Sequence, residues 1–197
     1  MPPYCIDLSE MSRIISYCSI STEPSGLVGM YRSLEINYPK FFKMDNLCKA
    51  GFIAAEIVLG KAGLRSEEPK PDMGIVLVNS SSSTVDDIEF QKGLADGEYF
   101  PSPSLFVYTL SNVVCGEIAI RNKVLGETSF YVQKEFSPEF LVRAVGWTLA
   151  DDTAEYVLCG WVECLGADAV CNMMLVKRNS SDGENFDIET IKRIFNK

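Results

Sequence analysis

An uninterrupted apolar run at residues 73–78 constrains the fold of this 197-residue chain more than any other feature. It reads Met-Gly-Ile-Val-Leu-Val and is followed by Asn79 and four serines. A strand without alternating polar residues is typical of a sheet that is covered on both faces, as in α/β proteins. The sequence therefore predicts a central buried strand between two layers of helices.

Further strands and helices alternate around this run, which predicts βαβ units with right-handed crossovers. The predicted strands are residues 13–20, 73–78, 129–132, 156–162 and 169–176, the last two forming a hairpin joined by 163–168. The predicted helices are residues 45–64, 84–94, 104–124, 139–150 and 188–195, with loops through Pro24, Gly26 and Pro39 and at 97–103. The expected fold is α/β, a three-layer αβα domain with a five-stranded, mostly parallel sheet ending in an antiparallel strand. One domain is expected over residues 1–197, with its core at about 10–178 and a polar loop and helix at 179–197.

Composition excludes several classes of function. The chain has no histidine, which removes Ser-His and Cys-His nucleophile pairs, histidine bases and histidine-ligated metals. Its 27 acidic and 18 basic residues give a formal charge of -9, the wrong sign for binding nucleic acid or an anionic membrane. The N-terminal segment has no signal-peptide pattern, so a cytoplasmic protein is expected.

The seven cysteines are scattered and never have the Cys-x-x-Cys spacing. This pattern favours reduced, buried thiols over disulfides or a metal site, and no cofactor or metal is expected. The acidic pairs Asp86-Asp87 and Asp151-Asp152 lack partners at metal-ligand spacing and are interpreted as solvated surface. The four serines at 80–83 lack the glycines and lysine of a phosphate-binding loop and are interpreted as a flexible polar turn.

The helix predicted at 139–150 is too apolar for one covered face. Eight of its residues lie on an arc of roughly 220°, about twice the width of a normal buried stripe. They are Trp147, Phe140, Ala144, Thr148, Leu141, Val145, Leu149 and Val142. Either a second subunit or another segment covers the outer side, or the helix is fully internal to a three-layer domain.

Five segments, in order, resemble the N-terminal half of a β-ketoacyl synthase of the thiolase-like superfamily. They are Lys43-Met44-Asp45 with the helix ending at 61–64, the run 74–78, residues 103–106 with 110–112 and 116–120, the Leu125-Gly126 turn, and the strand 156–163. Together they span about residues 10–178. The resemblance implies a thiolase-like half, but fold alone does not carry activity.

The family's nucleophile position is where the sequence departs from the pattern. The resemblance places it nine residues after Gly126, at Glu135, and residues 131–137 contain no cysteine. The neighbouring residues are Gln133, Lys134 and Phe136. The family's catalytic histidines come from its C-terminal half, and this chain has no histidine. Glu135 has two interpretations. It is a helix cap or a solvated loop residue, or it is a functional remnant. In chain-length-factor subunits, which resemble ketosynthases, the cysteine is replaced, commonly by Gln.

The leading hypothesis is a non-catalytic ketosynthase-like partner subunit in fatty-acid, polyketide or aryl-polyene biosynthesis. The resemblance implies that strand 129–132 lies at the sheet edge and pairs across a dimer axis. The partner would be a second copy or a full-length ketosynthase, with acyl carrier protein involved only indirectly. The expected interface residues are Ser129, Phe130, Tyr131, Val132, Phe140 and Trp147. Two alternatives remain: an enzyme acting on acyl thioesters through Glu135, and a small acyl- or lipid-binding module.

Overall fold

The computed structural model describes residues 12–94, 102–150, 152–165 and 168–195. Most of the predicted loop at 97–103, Asp151, and the 166–167 part of the hairpin connection lie outside the described residues. The strands are β1 Ser12–Thr22, β2 Met73–Asn79, β3 Thr128–Val132, β4 Tyr156–Leu165, β5 Asp168–Arg178 and β6 Glu184–Asn185. The α-helices are α1 Gly26–Ser33, α2 Asn46–Lys61, α3 Thr84–Lys92, α4 Pro103–Tyr108, α5 Val113–Asn122, α6 Pro138–Leu149 and α7 Ile188–Phe195.

The strands form one mixed sheet in the order β3-β2-β4-β5-β1-β6. β2 is parallel to β3 and β4, whereas β5 is antiparallel to β4 and β1. β1 to β4 therefore run in one direction, and β5 and the two-residue β6 run in the other. This confirms the predicted α/β class. Two details differ: β6 adds a sixth strand beside β1, and the antiparallel β5 lies inside the sheet.

Helices cover both faces of the sheet, which confirms the three layers. On one face, α1, α2 and α5 enclose a core that includes Phe52, Ile53 and Leu59. On the other face, α6 and α7 enclose a smaller core around Leu141 and Ile191. All of β2 is buried, as its apolar run predicts.

Side-chain caps set the starts of the two main helices. The Asp45 carboxylate accepts hydrogen bonds from the backbone N–H groups of Leu47 and Cys48, at 3.0 and 3.1 Å, and so caps α2. The Ser137 hydroxyl accepts from the Phe140 N–H at 3.1 Å, and Pro138 occupies the first turn of α6. Both arrangements satisfy donors that the first turn of a helix leaves free.

Three segments differ from the sequence predictions. The region predicted as a loop after β1 contains α1, which buries Leu27 and Tyr31, and a short 3-10 helix at Pro39–Lys43. The helix predicted at 104–124 is two helices, α4 and α5. β4 and β5 extend into the predicted 163–168 connection, to Leu165 and from Asp168. None of the helices in the described segments is long and apolar enough to cross a membrane.

Candidate functional site

Three parallel strands bring their carboxyl ends to the same edge of the sheet. β2 leads into the serine run 80–83, β3 leads into residues 133–137, and β4 carries Glu163 near its end. Open α/β sheets bind ligands at this edge. The predicted position of the family nucleophile, Glu135, lies here, so the chemistry of this edge decides between a catalytic and a non-catalytic interpretation.

The turn between β3 and α6 is polar at its tip and is held by a hydrogen bond on one side and by aromatic packing on the other. Glu135 and Lys134 are exposed. Gln133 donates its backbone N–H to the Asn79 carbonyl at 2.8 Å. Phe136 packs against Trp161 and Phe195, with ring centroids 5.8 and 5.0 Å apart.

Glu135 therefore has a solvated loop position. It does not cap α6, because Ser137 has that role. It also lacks the burial that would poise a carboxyl group as a general acid.

The serine run that follows β2 is hydrogen-bonded to Glu163 of β4. The Glu163 carboxylate accepts hydrogen bonds from the Ser80 N–H at 2.8 Å, from the Ser80 hydroxyl at 2.5 Å and from the Ser81 hydroxyl. These donors are consequently directed at a carboxylate of the chain itself. Sequence reasoning recognised Glu163 only as part of a strand motif, because its partners lie 82 and 83 residues away along the chain.

The thiols in this structure are protected by burial. All six cysteines in the described residues are free, and five of them are buried. Burial raises the pKa of Cys18 to about 11 and that of Cys115 to about 12. A thiol with such a pKa is a poor nucleophile near neutral pH, since the thiolate is the reactive form.

β3 is an edge strand whose outer side is open in the described part of the chain. Its neighbour in the sheet is β2. The Ile75 N–H donates to the Glu127 carbonyl at one end of this pairing, and the Gln133 N–H donates to Asn79 at the other. Because hydrogen bonding alternates along a strand, the N–H and C=O groups of Thr128, Phe130 and Val132 point towards the open edge.

An aromatic stripe lies beside this edge, formed by Tyr131, Phe140 and Trp147. The Tyr131 and Phe140 ring centroids are 5.2 Å apart, and those of Phe140 and Trp147 are 6.4 Å apart. The Arg143 guanidinium lies 5.8 and 5.9 Å from the Phe140 and Trp147 centroids. Trp147 is 56% exposed, so the alternative of a fully internal helix is wrong.

Exposed apolar side chains continue around the open edge. Val132 at the end of β3 is 50% exposed, and Leu125 in the turn before β3 is 66% exposed. Phe130 points to the other face of the sheet and packs against the larger core. Of the predicted interface residues, Tyr131, Phe140 and Trp147 thus form one cluster, while Ser129, Phe130 and Val132 share only the strand. Sequence reasoning missed the position of Arg143 over the rings.

The two best-formed clefts in the described residues are small. One, of about 190 Å³, is lined by Asp45, Asp86 and Cys164 among others, and the second, of about 230 Å³, shares the two aspartates. Binding sites for small molecules usually enclose about 300–1,000 Å³ and are mostly apolar. Neither cleft is lined by Glu135.

No protein-family model matches this chain, and no curated protein matches it in sequence. Solved structures do match. The ishigamide ketosynthase/chain length factor has 14% identity and a TM-score of 0.65, over 88% of this chain and 64% of the matched chain. A β-ketoacyl synthase from Burkholderia phymatum STM815 has 14% identity and a TM-score of 0.60, over 85% of this chain and 59% of the other.

A third match has nearly the extent of this chain. It is a chain in the complex of the ketosynthase ApeO with its chain length factor ApeC from Xenorhabdus doucetiae. It has 12% identity and a TM-score of 0.58, and the match covers 93% of this chain and 90% of that one. At such identities the likeness concerns the fold. The described part of this chain therefore has the thiolase-like fold shared by ketosynthases and chain length factors.

Proposed function

We propose that this chain is a non-catalytic, ketosynthase-like partner subunit that assembles through the β3 edge and the aromatic stripe. The observation that carries the proposal is an open edge strand beside exposed aromatic residues, in a chain with a ketosynthase-like fold. Two of the similar structures are named as ketosynthases with chain length factors. The partner is a full-length ketosynthase or a second copy of this chain, acting in fatty-acid, polyketide or aryl-polyene biosynthesis.

The chemistry of the edge suits a protein partner. Unpaired N–H and C=O groups on an edge strand readily pair with a strand of another chain. Aromatic residues and arginine supply most of the binding energy in many interfaces, especially near the centre. Trp147 and Arg143 lie together on the outer side of α6, so a strand added to β3 would come next to them.

A non-catalytic role is supported by what the carboxyl edge carries. Condensation through an acyl thioester needs a nucleophilic thiol and stabilisation of developing negative charge. The turn at residues 131–137 has no cysteine, and the chain has no histidine. The charge of -9 would repel an acidic carrier protein at long range, so contact with that carrier is expected through the partner.

Neither alternative function gains support from the geometry. Glu135 is exposed and lines neither of the two best-formed clefts, so it lacks the enclosed environment of an acid or base acting on acyl thioesters. The clefts of about 190 and 230 Å³ are too small for a long acyl chain.

The test removes one backbone donor from the open edge. Val132→Pro deletes an N–H that points away from β2, so the bonds between β3 and β2 persist while pairing with a partner strand is blocked. Val132→Thr is the matched control, because it alters the same side chain and keeps the N–H. Each variant is expressed alone and together with any ketosynthase encoded near its gene, and its mass is measured by size-exclusion chromatography with light scattering.

We expect wild type and Val132→Thr to form dimers or heterodimers and Val132→Pro to be monomeric. Circular dichroism and thermal unfolding check that all three are folded. A wild-type protein that is monomeric both alone and with the ketosynthase would refute the proposal. Assembly that withstands Val132→Pro would place the interface away from this edge.

A further inference from the structure

Two carboxyl groups from different helices meet at the 190 Å³ cleft. Asp45 precedes α2 and caps it, and Asp86 lies in the first turn of α3. Both residues line this cleft and the neighbouring 230 Å³ cleft, and Asp86 is half-buried. Of the predicted solvated pair, Asp87 is exposed and Asp86 is partly exposed. Two carboxyl groups that meet in one cleft share a proton or repel each other.

The pair lies where two helices are held weakly to the rest of the molecule. Neither α3 nor α4 has a buried residue. They contact each other through Phe90 and Phe106, whose ring centroids are 5.5 Å apart. The Ser83 hydroxyl also donates to the Thr109 carbonyl at 2.5 Å, which joins the start of α3 to the end of α4. Because little apolar burial fixes these helices, a single polar contact to α2 weighs heavily in their position.

We propose that Asp45 and Asp86 form a pH-sensitive latch, in which a shared proton holds α3 and α4 against the start of α2 and its loss releases them. In the closed form, the protonated carboxyl of Asp86 donates to the Asp45 carboxylate, which still caps α2. In the released form both groups are ionised and separated by water. One proton leaves to solvent and no covalent bond changes.

The surroundings of Asp86 contribute more negative than positive charge. Facing groups come from its own helix, from the start of α2, from β4 and from α4. They are Asp87 and Glu89, then Lys43, Asp45 and Cys48, then Cys164, and finally Tyr108. The cationic groups in these surroundings are Lys43, which lines the neighbouring 230 Å³ cleft, and Lys49, whose charge acts on Cys164.

Burial, and after it the charge of Asp45, raises the pKa of Asp86 from 3.8 to about 7. Release returns the group to water and to its ordinary pKa. The closed form is therefore favoured most below pH 3.8, and its advantage declines as pH rises to about 7, beyond which it no longer changes. Because one proton is linked, the closed-to-released ratio changes by at most about tenfold per pH unit.

Hydrogen exchange of the α3 backbone amides measures the latch. Protection factors are corrected for the pH dependence of intrinsic exchange and compared at pH 5.5 and 7.5. We expect wild-type protection of α3 to fall by about 5- to 25-fold between these pH values, as one-proton linkage allows, while α6 is unchanged. Constant protection of α3 across this range would overturn the proposal.

Two substitutions one residue apart identify the group. Asp86→Asn supplies an amide that donates to Asp45 at every pH, so its α3 protection is expected to be independent of pH. Asp87→Asn removes an exposed neighbouring carboxylate and is expected to keep the wild-type response. A pH response that persists in Asp86→Asn overturns the assignment.

A direct titration covers the case in which Asp86→Asn does not fold. The carboxyl carbon of Asp86 is followed by NMR in the wild-type protein. A midpoint near pH 7 supports the shared proton, and a midpoint near the ordinary aspartate value overturns it.

Discussion

Trp147→Lys separates association from folding, because α6 carries one exposed and one buried apolar side. Trp147 is 56% exposed and Leu141 is fully buried on the same helix. If the aromatic stripe is an interface, Trp147→Lys abolishes assembly and leaves the isolated chain folded. If the stripe is merely surface, the substitution leaves assembly unchanged.

The magnitude follows from the area of the indole. A fully buried tryptophan removes about 150–250 Å² from water, so the exposed 56% corresponds to roughly 85–140 Å² available to a partner. At about 25 cal/mol per Å² this is about 2–3.5 kcal/mol of association free energy. The dissociation constant should therefore rise by at least about 30-fold, and further because a lysine charge is buried against apolar surface.

The unfolding free energy of the isolated chain should fall less with Trp147→Lys than with a substitution in the core. The lysine stem can still cover part of Phe140, so Trp147→Lys should cost about 1 kcal/mol of unfolding free energy. Leu141→Ala removes a fully buried side chain from the core and should cost about 2–5 kcal/mol. The two substitutions on one helix therefore have inverted effects on stability and assembly.

Light scattering and urea unfolding measure the two quantities on the same preparations. The matched control is Phe42→Lys, because Phe42 is 54% exposed and lies in the 3-10 helix on the other side of the sheet. It should leave the dissociation constant within about twofold of wild type. Equal loss of assembly in Trp147→Lys and Phe42→Lys, or unaltered assembly in Trp147→Lys, would refute the reasoning.

Two further substitutions, each compared with a matched variant, test the sheet that positions the site. Glu163→Ala removes the acceptor of three hydrogen bonds from the serine run and should cost about 1–2 kcal/mol in urea unfolding, whereas Glu155→Ala, which removes an exposed ion pair with Lys177, should cost less than about 1 kcal/mol. Equal costs would contradict the role of Glu163. Gly126→Ala would place a Cβ 2.3 Å from the Met73 carbonyl oxygen and should lower the unfolding free energy by about 1–3 kcal/mol. Gly116→Ala, with open space around its Cβ, should stabilise α5 by about 0.5–1 kcal/mol. An unfolding free energy that is higher for Gly126→Ala than for Gly116→Ala would contradict this account.

Local signals in the sequence predicted most elements of the fold. The apolar run of β2, the Asp45 cap and the Ser137-Pro138 start each depend on residues that are adjacent in the chain. α1 was missed because Pro24 and two glycines dominate its segment. The four-residue spacing of its buried residues, Leu27 and Tyr31, was the available signal.

The break between α4 and α5 could not be predicted from periodicity, because the apolar pattern continues through it. In the structure the Thr109 hydroxyl donates to the Phe106 carbonyl at 2.7 Å, a local bond that competes with the helix. α4 then packs on α3, whereas α5 buries Val114 and Ile118 in the larger core, beside Gly51 of α2. The choice between these partners is a tertiary effect.

The same limit applies to the candidate site. Helical spacing predicted the excess apolar arc of α6, and the predicted strand order of the family placed β3 at an edge. Contacts between distant segments, such as Glu163 with Ser80 and Asp45 with Asp86, depend on which strands and helices become neighbours. They are visible only once the sheet order is known.

In the proposed interface, the open edge and the aromatic stripe form one continuous surface, because Tyr131 of β3 contacts Phe140 of α6. Tyr131 belongs to β3, and its ring meets Phe140 of α6 at 5.2 Å. A strand added beside β3 would lie about 4.8 Å from it and would bring its own side chains over Phe140 and Trp147. Backbone pairing and aromatic burial would then occur in a single association step. In the proposed function the chain acts through this surface, and that role needs no thiol at residues 131–137.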